Sequence, residues 1–430
     1  MTTEYQKARE IISLCRENFK SKIIFAGGYH VSALPELSIR ELNLDFVVIG
    51  EGEITMKEIC SLNLNDFNLG NIRGTAYLKD DKFIQNNPRE FIKDLDTLPI
   101  MNRELIHGGM NWYLTLPGNI RGHLVERCTT IITSRGCPGN CIFCASRAMW
   151  SNKVRQRSVD NVIKEIQLLK DKYKIKGLFF LDDIFTINKK WILEFCQKMK
   201  DMKFKIKWGC SARVSTINEE ILYEMKSAGC VQLDFGVESG SDQILKNLKK
   251  GQNKIMVQKA FDLIHKHRLK TLACFIIGNP GETKKEMNET FQLAKEIKPD
   301  FAIFSILTPL PGSPLYNMAV ENNWINKGSE FGSNWSIRHS ENPVLNIKYS
   351  SNELLKIRKE MEDHFFFQNY IHYFFPLLRH PVFMIQVVWI VIKSPLKYFT
   401  FILGKKSRRF SGFIESIYYE YKEWKSYMLK

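Results

Sequence analysis

The sequence lacks an apolar segment that is long enough to cross a membrane. Its longest apolar stretch, residues 381–392, covers about 12 positions and contains Gln386, whereas a membrane-spanning helix needs about 20 apolar residues. The amino terminus, MTTEYQKAREIISLCREN, also lacks the apolar centre and cleavage site of a signal peptide. These absences argue against a membrane-spanning or secreted protein. We therefore expect a cytoplasmic protein whose ten cysteines remain reduced.

Low-complexity tracts and internal repeats are also missing, so the composition is that of an ordinary globular protein. With 430 residues and 44% hydrophobic residues, the chain is long enough for two or three domains. Its net charge of +16 is mostly dispersed. The exception is residues 393–430, where nine Lys and Arg residues stand against three Glu residues among many aromatic side chains.

This basic and aromatic tail allows three interpretations. It could contact an anionic membrane and present a lipid substrate, because Lys and Arg beside aromatic residues suit a membrane interface. It could bind RNA, but the sequence contains no recognisable RNA-binding module, so nucleic acid is the less favoured partner. A solvated helix packed on the rest of the protein is the simplest alternative.

Two short apolar segments near the amino terminus, KIIFAGG and DFVVIGEGE, each end in glycines and are separated by a helix-length stretch. This pattern predicts a βα unit whose glycine turns lie at the strand ends, where open parallel sheets bind ligands. Simple tight turns are the alternative. Residues 70–98 predict a small β-rich connector.

From Thr129 onwards, strand-like and helix-like segments alternate. The strand-like segments are TTIITS, KGLFFLDD, KIKWGCSAR, GCVQLDFGVES, TLACFIIGNP and DFAIFSIL. Repeated units of this kind predict an α/β fold with a partial parallel (β/α) barrel. We expect three regions: a partial Rossmann-like α/β domain plus connector at 1–98, the barrel at 125–318, and a mainly helical region at 319–430.

The segment SRGCPGNCIFCASR contains three thiols, at Cys137, Cys141 and Cys144. The glycines and the proline between them disfavour a helix, so the thiols can converge. Cysteine thiolates are ligands of iron–sulfur clusters, and three of them leave one iron of a four-iron cluster open. Three zinc ligands, with Cys128 as a fourth, are the alternative. The other six cysteines stand singly in apolar or helical settings and are interpreted as packing residues.

The spacing Cys137-x3-Cys141-x2-Cys144, with Phe143 before the third cysteine, resembles the signature of the radical S-adenosylmethionine (SAM) superfamily. The resemblance implies that SAM chelates the open iron of a 4Fe-4S cluster and that an electron from the cluster cleaves SAM to start radical chemistry. The cofactor supplies that chemistry, whereas the protein supplies position and excludes water.

Further segments resemble the group of this superfamily that carries an amino-terminal cobalamin-binding domain. By that resemblance, Asp182 and Asp183 lie where the SAM amino group is held, and Arg213 neutralises the SAM carboxylate. The remaining residues that the resemblance places near SAM are Phe143, Glu238, Ser239, Gly240, Gly278 and Pro280. Helix capping is the alternative for Asp183 and for the turn GNPGET at residues 278–283.

The amino-terminal part resembles only the second half of a cobalamin domain. The residues that would contact cobalamin are Gly27, Gly28, Ser32, Gly50, Glu51 and Gly52. The Asp-x-His-x-x-Gly motif that supplies a lower axial ligand in many cobalamin proteins is absent, and His30 lies in the wrong context to replace it. The chain is therefore expected to be a fragment, to have lost the corrinoid, or to receive the missing half from a partner.

The resulting hypothesis is a radical SAM enzyme that acts on an unactivated carbon of a small molecule or lipid, with cobalamin-dependent methyl transfer as one reaction. A cobalamin-independent cyclase or oxidoreductase is the main alternative, and an RNA-modifying enzyme is a weaker one. The resemblance also implies a reducing electron donor such as flavodoxin or ferredoxin. Peripheral membrane contact through the tail stays open.

Overall fold

A computed structural model describes residues 2–20, 22–62, 68–106, 127–326, 329–336 and 342–378, together with residues 109, 110, 114, 120 and 125, and it describes side chains in the last helix as far as residue 365. The expectations for the apolar stretch 381–392 and for the tail 393–430 lie outside the described residues. Within the described part of the chain, no helix combines the length and the apolar character that a membrane crossing requires.

The amino-terminal part contains a four-stranded sheet in the order β1-β2-β3-β4. Strands β1 and β2 pair in parallel, and the remaining pairs are antiparallel. The predicted βα unit and the predicted β-rich connector are thus both present. Its elements are α1 (Tyr5–Asn18), β1 (Phe25–Gly27), α2 (Tyr29–Ala33), α3 (Pro35–Leu42), β2 (Phe46–Val48), α4 (Gly52–Cys60), β3 (Thr75–Lys79) and β4 (Lys82–Gln85).

The larger sheet is the predicted α/β core. Its six strands are all parallel and follow the order β12-β11-β10-β9-β8-β5. Every strand-like segment predicted after Thr129 contributes one of them. The elements are β5 (Cys128–Ile131), β8 (Gly177–Phe180), β9 (Lys207–Ala212), β10 (Cys230–Glu238), β11 (Lys270–Ile277) and β12 (Phe301–Ile306), with a two-stranded antiparallel ribbon, β6 (Ser134–Arg135) and β7 (Arg155–Gln156), after β5.

Helices connect successive strands of the core, and one further helix follows its last strand. The connecting helices are α5 (Val159–Tyr173), α6 (Lys189–Asp201), α7 (Glu219–Ser227), α8 (Asp242–Asn247), α9 (Lys254–Lys266) and α10 (Lys284–Ile297), and the last is α11 (Pro314–Glu321). The strands and the apolar faces of α5, α6, α7, α9 and α10 form one cluster of buried side chains, including Trp208, Phe180 and Phe195. Since parallel strands end on the same edge, the loops after β5, β8, β9, β10 and β11 are brought together there.

The long helix α12 (Ser351–Leu378) covers strand β12. Leu354, Met361 and Phe365 belong to the core cluster, and the rings of Phe365 and Phe304 lie 5.7 Å apart. This helix lies within the region 319–430 that is predicted to be mainly helical.

The cysteines outside the predicted loop behave differently from one another. Cys196, Cys210 and Cys230 are buried in the core, as packing residues should be. Cys60 is exposed at the end of α4, so the packing interpretation is wrong for it. Cys128 begins β5, whereas the cysteine loop follows the end of that strand. Cys128 thus lies at the opposite end of β5 from the cysteine loop and is not placed to serve as the fourth ligand of a zinc site.

Candidate functional site

The cysteine loop, residues 136–154, is an excursion between the two strands of the β6–β7 ribbon. Gly136 begins it with a φ of +96°. A Cβ atom there would collide with the carbonyl oxygen of Lys153 and lie 2.8 Å from that of Ser151. Only glycine combines this backbone conformation with this close approach. The residue before the first cysteine is therefore dictated by how the loop closes on itself.

The three cysteines converge on one side of this loop. A Cβ atom built on Gly139 would lie 3.3 Å from the Sγ of Cys137 and 3.8 Å from the Sγ of Cys141. The amide of Gly139 approaches the Sγ of Cys137 at 3.4 Å, and the amide of Ser146 approaches the Sγ of Cys144 at the same distance. Backbone amides that point at sulfur stabilise thiolates, which are the form that binds metal.

In the metal-free protein, burial disfavours the ionisation of these thiols. It raises the pKa of Cys144 to about 11, with smaller contributions from Asp183 and the two other thiols. It also raises the pKa of Cys141, although Lys250 and Arg213 oppose the shift. Buried thiols of this kind are held as thiolates when metal replaces the proton. The donor set therefore fits an iron–sulfur cluster.

The zinc alternative gains no support. Among the described residues, no group of three His, Cys, Asp or Glu side chains is placed to hold a single metal ion. A 4Fe-4S cluster makes a different demand, because each thiolate binds its own iron and the sulfurs stay further apart. Phe143, just before Cys144, packs against two apolar clusters, one containing Leu315 and the other containing Leu248. Its predicted place near SAM stays a prediction.

Arg213, Lys250 and Glu238 place charge beside the thiols. The Nη1 atom of Arg213 lies 3.4 Å from the Cβ position built on Gly139, and its Nη2 donates to the carbonyl of Lys250. Its Nε is buried without a hydrogen-bond partner among the described residues. Such an unsatisfied donor suits an anionic ligand. Arg213 therefore lies beside the cysteine loop, and its predicted contact with the SAM carboxylate stays a prediction.

Glu238 ends β10 with a φ of +67°, which is rare for a residue with a side chain. Its buried carboxylate pairs with the Nζ of Lys250 at 2.7 Å. Gly236 makes room for this pair, since a Cβ there would collide with the carboxylate and lie 2.8 Å from the ammonium. Backbone strain of this kind costs about 1–3 kcal/mol and tends to occur at functional sites.

Asp182 and Asp183 are adjacent but have different surroundings. Asp182 is 2% exposed and accepts hydrogen bonds from the hydroxyls of Thr133 at 2.8 Å and Ser134 at 2.5 Å. Burial raises its pKa. Asp182 thus positions the strand that enters the cysteine loop, and the predicted contact with SAM is not supported for it. Asp183 is exposed and accepts from the hydroxyl of Ser146 at 2.6 Å, so it faces the loop just after Cys144.

Three other predicted SAM residues pack against helices. The hydroxyl of Ser239 lies 3.0 Å from that of Thr290, and a Cβ on Gly240 would collide with the backbone of Glu289. Both residues therefore pack against α10. Gly278 faces Leu354 of α12, since a Cβ there would lie 3.1 Å from that side chain. Close packing against helices accounts for all three positions, and their predicted contact with SAM stays a prediction.

The GNPGET turn is held mainly by its own residues. Glu282 is buried and accepts from the amides of Gly278 at 2.6 Å and Asn279 at 2.9 Å. Thr283 caps α10 in a capping box with Glu286, which is the alternative interpretation of this turn. Pro280 is half-buried, and its predicted contact with SAM stays a prediction.

The predicted cobalamin residues divide into two groups. Gly28 and Gly50 have positive φ values, and no atom lies within 4 Å of a Cβ built on either. These two ends of neighbouring parallel strands are therefore open to a large group. Gly27 and Gly52 instead pack on Val48, and the Ser32 hydroxyl accepts from the amide of Gly50 at 2.9 Å.

Glu51 does not face open space. Its carboxylate lies 2.7 Å from the Nη2 of Arg155 and 3.2 Å from the Nη1 of Arg135, and it accepts from the amide of Ile92 at 2.7 Å. Burial alone would raise the pKa of Glu51, but these partners hold it below its ordinary value. The Glu51 carboxylate therefore joins the amino-terminal sheet to the core, and the predicted contact of Glu51 with cobalamin stays a prediction.

A small cavity of about 130 Å³ lies beside this contact, lined by Gly50, Glu51, Ala148 and Met149 among others. It is smaller than the roughly 300–1,000 Å³ of typical small-molecule sites. This cavity is therefore too small to enclose a corrinoid.

Tyr29 brings the first strand-end loop to the cysteine loop. Its ring meets the ring of Trp150 edge to face at 6.2 Å. Burial raises the pKa of Tyr29 to about 12, and the charges of Asp183 and Cys144 add to the shift. His30 is buried, and its Nδ1 lies 3.0 Å from the Thr2 hydroxyl.

Sequence reasoning missed Lys250, Tyr29, Trp150 and the pair Arg135 and Arg155. Arg135 belongs to the cysteine segment SRGCPGNCIFCASR, so its place beside Gly136 is the one signal that could have found it. Its pairing with Arg155 depends on the β6–β7 ribbon and is not visible in the sequence.

Two family models match the chain. The radical SAM superfamily matches residues 131–294, and the B12 binding domain matches residues 1–60. The first match contains the three cysteines, Asp183, Arg213 and Glu238. The second contains the open strand ends at Gly28 and Gly50.

Curated relatives agree with these matches. The chain is 34% identical to an uncharacterized methyltransferase of Pyrococcus horikoshii over 82% of this chain and 74% of that protein. It is 27% identical to the anaerobic magnesium-protoporphyrin IX monomethyl ester cyclase of Cereibacter sphaeroides, over 74% of this chain and 51% of that protein. It is 30% identical to a putative methylthiotransferase of Methanocaldococcus jannaschii, over 73% of this chain and 66% of that protein.

Solved structures share the fold. The radical SAM methyltransferase TsrM from Kitasatospora setae, with cobalamin and a 4Fe-4S cluster bound, matches with a TM-score of 0.61 and 17% identity over 74% of this chain and 61% of that one. The cobalamin-dependent SAM radical enzyme OxsB, with aqua-cobalamin and SAM bound, gives 0.62 and 16% over 88% and 63%. The chain belongs to the radical SAM superfamily, in the group that carries an amino-terminal B12-binding domain.

Proposed function

We propose that this radical SAM enzyme transfers a methyl group to an unactivated carbon of a small molecule, with cobalamin as its second cofactor. The carrying observation is the convergence of the Cys137 and Cys141 thiols around Gly139, with the Arg213 guanidinium beside them. Among the relatives, names that include methyltransferase recur, as in the Cytidylyl-2-hydroxyethylphosphonate methyltransferase of Streptomyces wedmorensis, 26% identical over 70% of this chain.

Cys137, Cys141 and Cys144 would hold a 4Fe-4S cluster, which supplies one-electron chemistry to bound SAM. The protein's own task is to place SAM against the open iron. Arg213 has an unsatisfied buried Nε for a carboxylate, and Asp183 offers an exposed carboxylate to an amino group on the same side of the loop.

Glu238 and Lys250 would complete the site. Their buried ion pair ends β10 beside Arg213, and Lys250 and Arg213 bring two positive charges close to Cys141. Positive charge near three thiolates favours the anionic cluster by Coulomb attraction. Glu238 keeps acceptor capacity for a hydroxyl or amine donor of a ligand, because a carboxylate accepts more than one hydrogen bond.

Cobalamin would rest on the strand ends at Gly28 and Gly50, where glycine leaves room for a planar group. It would supply the methyl carrier. The Tyr29–Trp150 contact then excludes water between these strand ends and the cysteine loop.

Anaerobic reconstitution with iron and sulfide tests the cluster. We expect about four irons per chain, a loss of most of them in Cys141→Ala, and no loss in Cys60→Ala, whose thiol is exposed on α4. Fewer than about three irons in the parent protein, together with no further loss in Cys141→Ala, would contradict the assignment.

Product analysis tests the reaction. Methyl transfer predicts that the protein retains a corrinoid and forms S-adenosylhomocysteine alongside 5'-deoxyadenosine. The second candidate is a cobalamin-independent cyclase or oxidoreductase, which the relative named as a cyclase favours. It predicts 5'-deoxyadenosine alone and no retained corrinoid.

Several finer points belong to the same proposal. Radical SAM enzymes need an electron donor, and we propose flavodoxin or ferredoxin in a cytoplasmic setting. A lipid substrate reached through peripheral membrane contact depends on the tail 393–430, outside the described residues. No contact in the described part of the chain favours an RNA substrate.

A further inference from the structure

The base of the cysteine loop is closed by two arginines that face each other. Arg135 and Arg155 are Cα partners in the antiparallel β6–β7 ribbon, and the loop with the three cysteines runs between them. Like charges directly opposite each other on neighbouring strands are destabilising. Both side chains are also largely buried, with 14% and 11% of their surface exposed. This ribbon therefore needs a counter-charge.

Glu51 supplies that counter-charge from the amino-terminal sheet. Its side chain is 2% exposed and lies within ion-pair distance of both arginines, at 3.2 Å and 2.7 Å. Arg155 also donates from Nη1 to the other carboxylate oxygen at 2.9 Å. Glu53 adds a second, more exposed partner for Arg135 at 2.5 Å. Together these carboxylates balance the two guanidinium charges.

Arg135 also takes part in a second contact between the cysteine loop and the amino-terminal sheet. The guanidinium of Arg135 lies 5.0 Å from the ring centre of Trp150, and Trp150 meets Tyr29. Glu51 follows β2 and Tyr29 follows β1, so both strand-end loops of the amino-terminal sheet contact the Arg135–Trp150 pair. Arg135 precedes the first cysteine by two residues, and Trp150 follows the last by six.

We infer that Glu51 is a positioning residue that closes the base of the cluster-binding loop, so that docking of the amino-terminal sheet sets the geometry of the three thiols. The inference deepens the proposed function, since it assumes that this loop holds the cluster. Its test, however, uses metal-free protein. The result of this test can therefore be interpreted even if the cluster assignment fails.

Four variants separate the positioning role from general stability. Glu51→Gln removes the counter-charge and leaves Arg135 and Arg155 opposed. Arg155→Gln removes one of the opposed charges, and the double variant removes both the carboxylate and that arginine. Glu58→Gln is the control, because Glu58 lies in α4, the helix that follows Glu51, and pairs with Arg89 rather than with Arg135 or Arg155.

The readout is the rate at which a maleimide alkylates each cysteine of the reduced, metal-free full chain, resolved by peptide mass spectrometry. Cys60, exposed on α4, serves as the internal reference. We expect Glu51→Gln to raise the rates at Cys137, Cys141 and Cys144 about fivefold or more relative to Cys60, whereas Glu58→Gln leaves them unchanged. The double variant should lie closer to the parent than Glu51→Gln does, because one of the two opposing charges is gone.

Reconstituted protein gives a second readout. The electron paramagnetic resonance spectrum of the reduced cluster, and its change on adding SAM, should differ from the parent in Glu51→Gln and match it in Glu58→Gln. Equal alkylation rates and equal spectra in these two variants would overturn the inference. If Glu51→Gln does not fold, Glu53→Gln replaces it with a smaller expected increase, and unchanged thiol rates there overturn the inference as well.

Discussion

The two sheets of this protein are built from similar βα units, yet their helices begin differently. In the core, six helices start with a side chain that accepts a hydrogen bond from the first turn: Ser158, Asn188, Asn218, Asn253, Thr283 and Ser313. None of α1 to α4 in the amino-terminal sheet has such a cap. Each cap stabilises a helix by about 1 kcal/mol, so the core is specified locally to a greater degree.

The edge strands differ in the same direction. No residue of β1 or β4 is buried, whereas β5 and β12 at the edges of the core sheet each contain buried residues. The amino-terminal sheet depends more on distant contacts, of which the buried pairing of Glu51 with Arg135 and Arg155 is the most prominent. The six-stranded core is thus specified largely by local signals, whereas the amino-terminal sheet is tied to it through the base of the cysteine loop.

The largest effect is expected for Gly136→Ala, which breaks the link between the two regions. The new Cβ would collide with the backbone of Lys153 in a positive-φ conformation. We expect a loss of about 4 kcal/mol or more in the free energy of unfolding, since overlap with backbone cannot be relieved by a rotamer change. Chemical denaturation and iron content measure it, with most of the iron lost.

Gly50→Ala is the matched control for that change. Gly50 also has a positive φ, but no atom lies within 4 Å of its Cβ position. The cost should be only the backbone strain of about 1 kcal/mol. Equal losses in the two variants would show that the collision at Gly136 is relieved by movement of the loop.

An intermediate effect is expected for Glu282→Gln, which tests the local network of the core. Burial raises the pKa of Glu282 from 4.5 to about 7. The folded state therefore keeps this proton while the unfolded state releases it, and the free energy of unfolding should fall as pH rises from about 4.5 to about 7. The loss is about 3 kcal/mol at 1.36 kcal/mol per pKa unit.

Denaturation at about pH 5 and about pH 8 measures this pH dependence. Glu282→Gln cannot lose a proton, so its stability should change less between the two conditions than that of the parent protein. Parallel pH profiles would show that Glu282 is not the titrating group.

The smallest effect compares one cap from each region. Asn218→Ala removes the hydrogen bond that caps α7, from the amide of Ile221 at 2.9 Å, and should cost about 1 kcal/mol. Glu4→Ala, at the corresponding position of the uncapped helix α1, should change the free energy of unfolding by less than about 0.5 kcal/mol. Equal costs would remove the distinction between the two regions.

Most of the fold could be predicted because strand length, apolar runs and glycine turns are local properties. The parallel core, the β-rich connector and the helix after Ser351 all follow from such patterns. The site was harder to predict. Arg213 and Glu238 lie beside the cysteine loop, as expected. Ser239, Gly240 and Gly278 pack against helices instead. The sequence could not predict this packing, because it does not distinguish a small residue that permits close packing from one that permits ligand contact.

Glu51 shows the same limit from the other side. In the sequence it is part of a glycine turn at a strand end, where ligands usually bind. In the structure its carboxylate meets two arginines that are 84 and 104 positions away along the chain. No local pattern encodes that meeting, since it depends on how the amino-terminal sheet docks on the ribbon.

The sequence by itself determined the donor chemistry of this protein, because three cysteines at this spacing in a glycine-rich loop have few other uses. It also determined the order of strands and helices, because hydrophobic periodicity and caps act over a few residues. Only the tertiary structure decided which of two adjacent aspartates faces the loop, which glycines serve packing, and which carboxylate closes the base of the loop. Those choices depend on burial and on charges brought together from distant parts of the chain.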